Sequence, residues 1–196
     1  MSRMDLPVVV LENRFVRMEP LTDALKDEVR EALSCDPEAW EGMVGSAYGD
    51  QFDGWWASAM AAMTKGSRIP WAVRRDGLVV GTTSLYEIRP EYRRCELGST
   101  FYRPEVRGGV LNPACKRLAL GHAFDHGAVR VEIVTDALNA RSQAAIRKLG
   151  AQDEGVLRKH KITWTGRVRD TAQFAILDED WPEVRDRLDA RLAAFA

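Results

Sequence analysis

The amino-acid sequence predicts an α/β (α+β) fold in which one mixed sheet carries helices on its faces. Residues 71–102 follow the pattern of an antiparallel meander, with a strong hairpin turn at Asp76-Gly77. Strands at 94–102 and 129–135 flank a helical segment, which predicts a right-handed parallel crossover. No Pro/Gly/Ser-rich linker and no internal repeat divides the 196 residues, so we expect a single domain.

The N-terminal third predicts one strand and two helices. Residues 13–19 predict the strand, and Thr22 is a suitable N-cap for a helix. The apolar residues of that helix recur at every fourth position, namely Leu25, Val29 and Leu33. The segment 34–50 contains Pro37 and several glycines and predicts irregular structure. A second helix is expected from Phe52 to about Lys65, ending near Gly66.

Two helices in the second half have clear end signals. Asn112 followed by Pro113 predicts an N-cap with proline at the first helical position, and this helix should run to about His126. Asn139 is expected to cap the next helix, which stops at Gly150 as a C′ glycine.

The C-terminal part predicts two strands and a last helix. The strands are expected at 155–163 and 170–177, joined by a turn at 165–166. Trp181-Pro182 opens an amphipathic helix over about 181–194, whose apolar stripe consists of Val184, Leu188 and Leu192. Together with the rest of the chain, these elements predict one domain spanning residues 1–196.

Composition and charge exclude several classes of protein. Apolar residues make up 45% and charged residues 29%, which is ordinary for a globular protein. A net charge of -1 makes the chain a poor candidate for non-specific nucleic-acid binding. The three cysteines form no C-x-x-C pair, and no apolar run is long enough for a signal or membrane segment. We therefore expect a cytoplasmic protein without a membrane or direct nucleic-acid partner.

The segment Tyr102–Lys116 has the features of an anion site. A strand ends, a turn contains Gly108 and Gly109, and a helix follows. Glycines let backbone N–H groups approach a ligand, and a helix N-terminus carries roughly half a positive charge. Residues 89–117 contain seven basic and three acidic side chains, an excess of +4. The alternative is an ordinary strand–helix turn with flexible glycines and solvated arginines.

A second cluster of polar residues follows the strand at 129–135. Asn139 and Ser142 lie in the first turn of a predicted helix, at the carboxyl end of that strand. Ligands usually bind at this end of strands in mixed and parallel sheets. Both residue types are also ordinary in helix caps, so capping alone would explain them.

These two segments carry a family resemblance. The sequence TFYRPEVRGGVLNPACK, followed by VEIVTDALNARSQAAIRKLGA, resembles the GNAT superfamily of acyl-CoA-dependent N-acyltransferases. It is most similar to the ribosomal-protein-alanine acetyltransferase branch, and N-x-x-S-x-x-x-I-x-K-L-G is its most specific part. The likeness covers nearly the whole chain. Gly108 fits the family's phosphate loop Q/R-x-x-G-x-G/A, whereas Glu105 and Val110 depart from it.

The resemblance implies a splayed gap between the parallel strands at 94–102 and 129–135, which admits the pantetheine arm of acetyl-CoA. The pyrophosphate would lie on the N–H groups of 107–112, and the thioester carbonyl near the backbone of Thr100 or Phe101. Asn139 would bond the pantetheine or the amide at its acetyl end. No metal is expected. The residues that it places at the co-substrate are Thr100, Phe101, Tyr102, Arg107, Gly108, Gly109, Val110, Leu111, Asn112, Lys116, Asn139, Arg141 and Ser142.

Amine acetylation needs a neutral amine, so a general base is expected. Strand alternation would place Glu96 on one face with Gly98, Thr100 and Tyr102, which makes it the first candidate base, with Glu87 second. The alternative for Glu96 is a structural pair with Arg93 or Arg130. Ser142 matches the position where some relatives have a proton donor; its alternative is helix capping.

Other residues have chemical and structural interpretations. His122 and His126 have metal-ligand spacing, but the third histidine is distant. Cys115 lies in a first helical turn, where a thiol pKa can fall, although packing is the simpler explanation. Lys116 would either contact a phosphate or be solvated. Three tryptophans, Trp40, Trp55 and Trp56, would form either core or the wall of an amine pocket.

The resemblance implies an enzyme that moves acetyl from acetyl-CoA to a primary amine by direct attack in a ternary complex. The acceptor would be a protein N-terminus or a small amine, and a homodimer is what the family suggests. The alternative is a non-catalytic acyl-CoA-binding or sensing module.

Overall fold

The computed structural model describes residues 4–195. One sheet of eight strands has the order β1-β2-β3-β4-β5-β6-β8-β7. Its strands are β1 (Leu11–Glu12), β2 (Arg17–Pro20), β3 (Arg68–Arg75), β4 (Leu78–Arg89), β5 (Arg94–Tyr102), β6 (Arg130–Asp136), β7 (Gln152–Ile162) and β8 (Val168–Leu177). The pair β5–β6 is parallel, and the other neighbouring pairs are antiparallel. The predicted mixed, mostly antiparallel sheet is confirmed.

Helices cover both faces of this sheet. They are α1 (Lys26–Leu33), α2 (Phe52–Thr64), α3 (Leu111–Asp125), α4 (Ala140–Leu149) and α5 (Trp181–Ala193). One apolar cluster packs α1 and α2 on Ala72 and Phe101, and the other packs α3, α4 and α5 on Trp71 and Tyr102. Because neighbouring strand residues point to opposite faces, these two clusters lie on opposite sides of the sheet. None of the described helices is long and apolar enough to cross a membrane.

The N-terminal predictions need two corrections. Of the strand expected at 13–19 only the end is found, as part of β2 from Arg17, because the Asn13 Oδ1 accepts hydrogen bonds from the backbone N–H groups of Phe15 and Val16 at 2.9 and 3.1 Å. The two-residue β1 lies before this turn. Such a local side-chain turn competes with the sheet ladder. Thr22 precedes a 3-10 turn instead of α1, and its side chain makes no capping bond.

The start of α3 also differs from prediction. The helix begins at Leu111 with Val110 as N-cap, so Asn112 and Pro113 lie in its first turn. Val110 already has helical backbone angles, and its carbonyl accepts from the N–H of Ala114 at 3.0 Å. Proline is tolerated there because first-turn N–H groups have no intrahelical partner.

The cap signals of α4 are confirmed. The Asn139 side chain accepts from the N–H of Ser142, and Gly150 ends the helix with a φ of 106°. The helix expected from Trp181 is α5. Strands β7 and β8 begin at 152 and 168, a few residues before the predicted starts.

The parallel strands diverge soon after they meet. Three residue pairs join β5 and β6, the last being Glu96 with Glu132. Both strands continue beyond that pair without further pairing to each other. A bulge in β5 accompanies the separation: Phe101 pairs with Thr82 whereas Gly98 pairs with Ser84, and Ser99 has a φ of 47°. A bulge bends its strand, which opens the gap.

Candidate active site

A cleft of about 920 Å³ passes between the separated strands. Residues 97–100 of β5 form one wall and residues 133–136 of β6 form the other. On one face of the sheet the cleft reaches α2 and the loop at 38–46, and on the other it reaches α3, α4 and α5. The sheet is therefore open from face to face at the place where its parallel strands separate.

The bulge overturns the predicted alternation along β5. We expected Glu96, Gly98, Thr100 and Tyr102 to share one face. The extra residue at the bulge shifts the pattern, so Phe101 and not Thr100 lies on the face of Gly98. Tyr102 accordingly packs in the cluster of α3, and the Thr100 hydroxyl is 2.8 Å from that of Thr83 and 3.3 Å from the Lys116 Nζ.

Glu96 is buried beneath Tyr86. The Tyr86 hydroxyl donates a hydrogen bond to the Glu96 Oε1, and Tyr86 lines the cleft whereas Glu96 does not. Burial raises the pKa of Glu96, opposed by the bond from Tyr86. Burial and the Glu96 carboxylate hold the pKa of Tyr86 well above its ordinary value. The pair is thus shielded from bulk water and reaches the cleft through one hydroxyl.

The structural partners considered for Glu96 lie elsewhere. Arg93 donates from Nε to the Gly127 carbonyl at 2.8 Å, and Arg130 pairs with Glu132 and Glu154. The second candidate base, Glu87, is exposed, pairs with Arg89 and does not line the cleft. Glu87 is therefore wrongly placed to take a proton from a bound amine.

The loop before α3 presents unpaired backbone N–H groups. Gly108 adopts a φ of 79°, which only glycine adopts without strain. Within residues 4–195, the N–H groups of 108–112 donate to no backbone carbonyl. Val110, which departs from the family pattern, turns its side chain into the core and is 6% exposed. Its side chain therefore leaves the N–H groups uncovered.

The side chain of Arg107 holds the start of this loop in place through two hydrogen bonds. It donates to the Tyr102 carbonyl at 2.8 Å and to the Asp36 carboxylate at 2.6 Å. Its guanidinium lies over the Phe101 ring, which in turn stacks on Trp40 at 4.9 Å. The side chains of Arg107 and Phe101 are thus occupied in packing, so any contact that they make with a co-substrate would come from their backbone.

Lys116 is buried, contrary to the solvated alternative. It is 8% exposed and lines the cleft, where its Nζ donates to the Thr100 hydroxyl. Burial lowers its pKa to about 8. Its neighbour Cys115 is fully buried, and burial raises the pKa of that thiol to about 12, which favours the packing interpretation.

The start of α4 lies on the cleft. Asn139 and Ser142 both line it, and the Asn139 Oδ1 accepts from the Ser142 N–H at 2.9 Å. Capping of α4 is therefore a role that Asn139 fills in this structure, while its amide nitrogen makes no hydrogen bond in the described residues. Arg141 is exposed on another side of the helix and does not line the cleft.

Six of the residues predicted for the site line the cleft, namely Thr100, Tyr102, Asn112, Lys116, Asn139 and Ser142. Eight do not, namely Glu96, Phe101, Arg107, Gly108, Gly109, Val110, Leu111 and Arg141. The eight comprise the candidate base behind Tyr86, a core aromatic, residues 107–111 at the start of α3 and an exposed helix position. Among the tryptophans, Trp40 and Trp55 line the cleft, whereas Trp56 packs in the core.

Several cleft residues have no sequence motif and were missed. Arg68 begins β3, Tyr86 lies on β4, and Arg169 lies on β8. The loop at 38–46, which also lines the cleft, is bonded to this end of the β7–β8 hairpin: Trp164 of the turn donates to the Trp40 carbonyl at 2.8 Å, and Arg169 of β8 donates to that of Gly42 at 3.1 Å. No local signal marks these residues, because they meet only when the sheet is assembled.

Each histidine of the pair His122 and His126 contacts a backbone carbonyl through one ring nitrogen. The Nε2 of His122 is 3.0 Å from the Pro7 carbonyl, and the Nδ1 of His126 is 2.8 Å from the His122 carbonyl. Within the part of the chain that the structure describes, no group of three or more His, Cys, Asp or Glu is arranged to hold a metal ion.

Comparisons with known proteins agree with this geometry. The sequence model of the GNAT acetyltransferase domain matches residues 16–152. A structure from T. thermophilus, described provisionally as an acetyltransferase, is 34% identical with a TM-score of 0.82, covering 93% of this chain and 96% of the other. A GCN5-related N-acetyltransferase from Brucella melitensis is 28% identical with a TM-score of 0.87, covering 98% and 89%.

More distant structures share the fold. RimJ from Mycobacterium smegmatis, solved in complex with CoA-disulfide, is 22% identical with a TM-score of 0.78, covering 97% of each chain. No curated protein matches the chain significantly. The matched domain spans more than half of the sequence, and the chain belongs to the GNAT acetyltransferase family.

Proposed function

We propose that this protein transfers an acetyl group from acetyl-CoA to a primary amine, by direct attack while both substrates are bound. The acceptor is a peptide N-terminus or a small amine. One observation carries the proposal: in the described structure the cleft between β5 and β6 runs from Asn112, in the first turn of α3 beside a loop of free N–H groups, to Tyr86 and its buried partner Glu96. The cleft thereby connects N–H groups that suit phosphates with a pair of side chains that can accept a proton.

The loop and the helix start fit the charged end of acetyl-CoA. The N–H groups of 108–112 and the N-terminus of α3 suit the pyrophosphate. Asn112, Lys116, Asn139 and Ser142 then line the route of the pantetheine arm. When bound, acetyl-CoA supplies the acetyl group as an activated thioester. The backbone of the bulge at Ser99–Phe101 is placed to orient the thioester carbonyl, as the family resemblance implies.

Tyr86 and Glu96 provide the proton path. An amine lying against Tyr86 gives its proton to the Tyr86 Oη, while the hydroxyl proton moves along the existing bond to the Glu96 Oε1. Burial raises the pKa of Glu96, which makes it a better proton acceptor than an exposed carboxylate. Ser142, on the cleft wall, is the group that we assign to pass a proton to the departing sulfur, its hydroxyl taking up a proton from solvent as it gives one.

A thermal shift with acetyl-CoA tests binding first. Ligand at about 100 times Kd stabilises a protein by ~2.7 kcal/mol. A chain of this size shifts its Tm by about 2–4 °C per kcal/mol, so we expect a rise of several degrees. Turnover of a panel of amines then decides between the enzyme and the non-catalytic binding module. Binding without turnover of any amine would favour the module, and absence of binding at millimolar acetyl-CoA would contradict both.

A further inference from the structure

The cleft is more basic than acidic. Its basic lining residues are Arg68, Lys116, Lys161, Arg169 and Arg191. Its acidic lining residues are Glu38 and Asp136. Asp136 is already paired with Arg167, which binds its Oδ2. The cleft therefore repels polycationic acceptors and attracts anionic ones. Acetyl-CoA phosphates at the α3 loop do not account for Arg68 and Arg169, which belong to β3 and β8 and lie beside Tyr86.

Arg68 is a largely buried cation held by neutral groups. Its Nε donates to the Ser84 hydroxyl at 3.0 Å and its Nη2 to the Ser99 hydroxyl at 2.8 Å. Its guanidinium lies 5.7 Å from the centre of the Trp55 ring. Within residues 4–195 it forms no ion pair, and its Nη1 makes no hydrogen bond. Burial lowers its pKa to about 10.

Arg169 is buried more deeply, with 6% of its surface exposed. Its Nη1 donates to the Gly42 carbonyl, while its Nε is buried without a hydrogen-bond partner in the described structure. It forms no ion pair within 4 Å there, although it lies in the field of Asp136, Tyr86 and Glu96. Burial lowers its pKa. This is a second cleft arginine that lacks a paired carboxylate in the described residues.

Burying a cation without a partner costs free energy, and a bound anion offsets that cost. Arginine is well suited to carboxylates because its N–H groups match the two oxygens. Both arginine charges act on the Tyr86 hydroxyl, where the proposed reaction takes the amine proton. An anion bound by either arginine would therefore lie close to the reacting amine, as a group on the same acceptor molecule.

We propose that the acceptor carries a carboxylate near its primary amine, and that Arg68 and Arg169 bind this carboxylate while the amine lies against Tyr86. The inference rests on the proposed acetyl transfer and names the substrate class of that same site. The carboxylate has two sources: the C-terminus of a small amino-acid-like acceptor, or an acidic side chain beside the N-terminus of a peptide.

Two pairs of acceptors test this with the full chain and acetyl-CoA. The first pair is the dipeptide Ala-Gly and its C-terminal amide, and the second is Ala-Asp-Ala amide and Ala-Asn-Ala amide. Each pair keeps the same reacting amine and changes the carboxylate alone. We expect at least one acid to exceed its partner about tenfold or more in kcat/KM, mainly through KM. The pair that shows the preference identifies the source.

Variants link that preference to the two arginines. R68Q and R169Q should each reduce the acid-to-amide ratio about tenfold, and R169K should keep a part of the ratio because lysine retains the charge but not the paired N–H groups. R75Q is the matched control, because Arg75 is the last residue of the same strand as Arg68 and does not line the cleft. If R169Q does not fold, which its thermal unfolding would show, R68Q and R169K still give the answer.

The outcomes separate this inference from the proposed function. Equal use of acid and amide in both pairs, or an acid preference that survives in both R68Q and R169Q, would overturn the carboxylate assignment and leave acetyl transfer intact. If acetyl-CoA binds but none of the four acceptors nor any other amine is acetylated, both proposals fall. A preference lost in R68Q and R169Q but kept in R75Q would support both.

Discussion

The two halves of the cleft are built in different ways. The half at α3 begins at Asn112, beside a short contiguous segment, 108–112, whose backbone N–H groups are free in the described structure. The half beside Tyr86 is made of side chains from β3, β4 and β8, which the sheet brings together. Backbone groups tolerate changes of side chain, as Val110 shows by packing inward. A side-chain group is lost when its residue is substituted. The half beside Tyr86 is therefore the part of the cleft where substrate choice can vary among proteins that share the half at α3.

The largest expected effect lies in the side-chain half. E96Q removes the proposed proton acceptor and should lower kcat/KM by about 10²-fold or more. Y86F should give a similar loss, and the double variant should add little because the two act as one path. In the wild type, activity should rise with pH as Glu96 loses its proton, at a pH above the ordinary carboxyl range because burial raises its pKa.

The control for this prediction is E87Q, since Glu87 is an exposed carboxylate one residue along β4 from Tyr86. E87Q should keep wild-type kcat/KM and its pH profile. Comparable losses in E96Q and E87Q, or loss of activity at low pH that is the same in E96Q as in the wild type, would remove Glu96 from the reaction.

A smaller effect is expected in the backbone half. G108A forces an L side chain into the left-handed region at a φ of 79°, which costs about 1–2 kcal/mol. The strained loop turns its N–H groups, so the Kd for acetyl-CoA should rise about tenfold, as measured by calorimetry. G77A is the matched control because Gly77 has a φ of 82° in the β3–β4 turn. It should lower the Tm similarly and leave the Kd unchanged; equal Kd values for both variants would contradict the role of the loop.

Lys116 lies where the two halves meet, and its burial predicts a pH-dependent stability. Its pKa is about 8 in the folded chain against 10.5 for an ordinary lysine. Between those values the unfolded chain binds more protons, so this lysine makes stability increase as pH rises from 8 to 10.5. K116M should stabilise the protein by about 1–2 kcal/mol at pH 7 and abolish that rise.

Urea unfolding at several pH values measures this effect. K148M, which replaces an exposed lysine on α4, is the control for loss of charge and should leave the pH dependence as it is. K116M should also weaken acetyl-CoA binding if Lys116 contacts the co-substrate. An unchanged slope of stability against pH in K116M would show that the lysine is not a buried cation below pH 8.

The smallest effect is expected at Asn139, where substitutions can separate the role of helix cap from that of a contact with acetyl-CoA. N139A removes the cap of α4 and should cost about 1 kcal/mol, lowering Tm by about 2–4 °C. N139S keeps a capping oxygen but lacks the amide N–H, so it should retain stability and lose affinity for acetyl-CoA. Wild-type affinity in N139S would mean that Asn139 acts as a cap alone.

Local signals predicted much of the fold. The Asp76-Gly77 turn, the Asn139 cap and the C′ glycine Gly150 each depend on a few neighbouring residues, and the structure has all three. The errors arose where tertiary contacts or local alternatives prevailed. Asn13 forms a turn with its own neighbours where the first strand was expected to begin, and the helix expected to be capped at Asn112 begins at Leu111.

The candidate site was predicted in part for the same reason. Asn112, Lys116, Asn139 and Ser142 follow a contiguous pattern, and they line the cleft. The prediction that Thr100 shares a face of β5 with Glu96 was wrong, because a bulge changes the alternation and no sequence motif marks it. Arg68 could not be found, since its partners Ser84 and Ser99 are distant along the chain.

The sequence by itself determined the mixed sheet, the family resemblance and the loop of N–H groups before α3, because turns, caps and glycine positions act over a few residues. Only the tertiary structure decided which charges face the cleft. Arg68, Tyr86 and Arg169 come from three different strands, and Glu96 is covered by a hydroxyl from β4. Burial and the distances between charges are properties of the assembled sheet. The chemistry of the half beside Tyr86 therefore depends on how the strands pack.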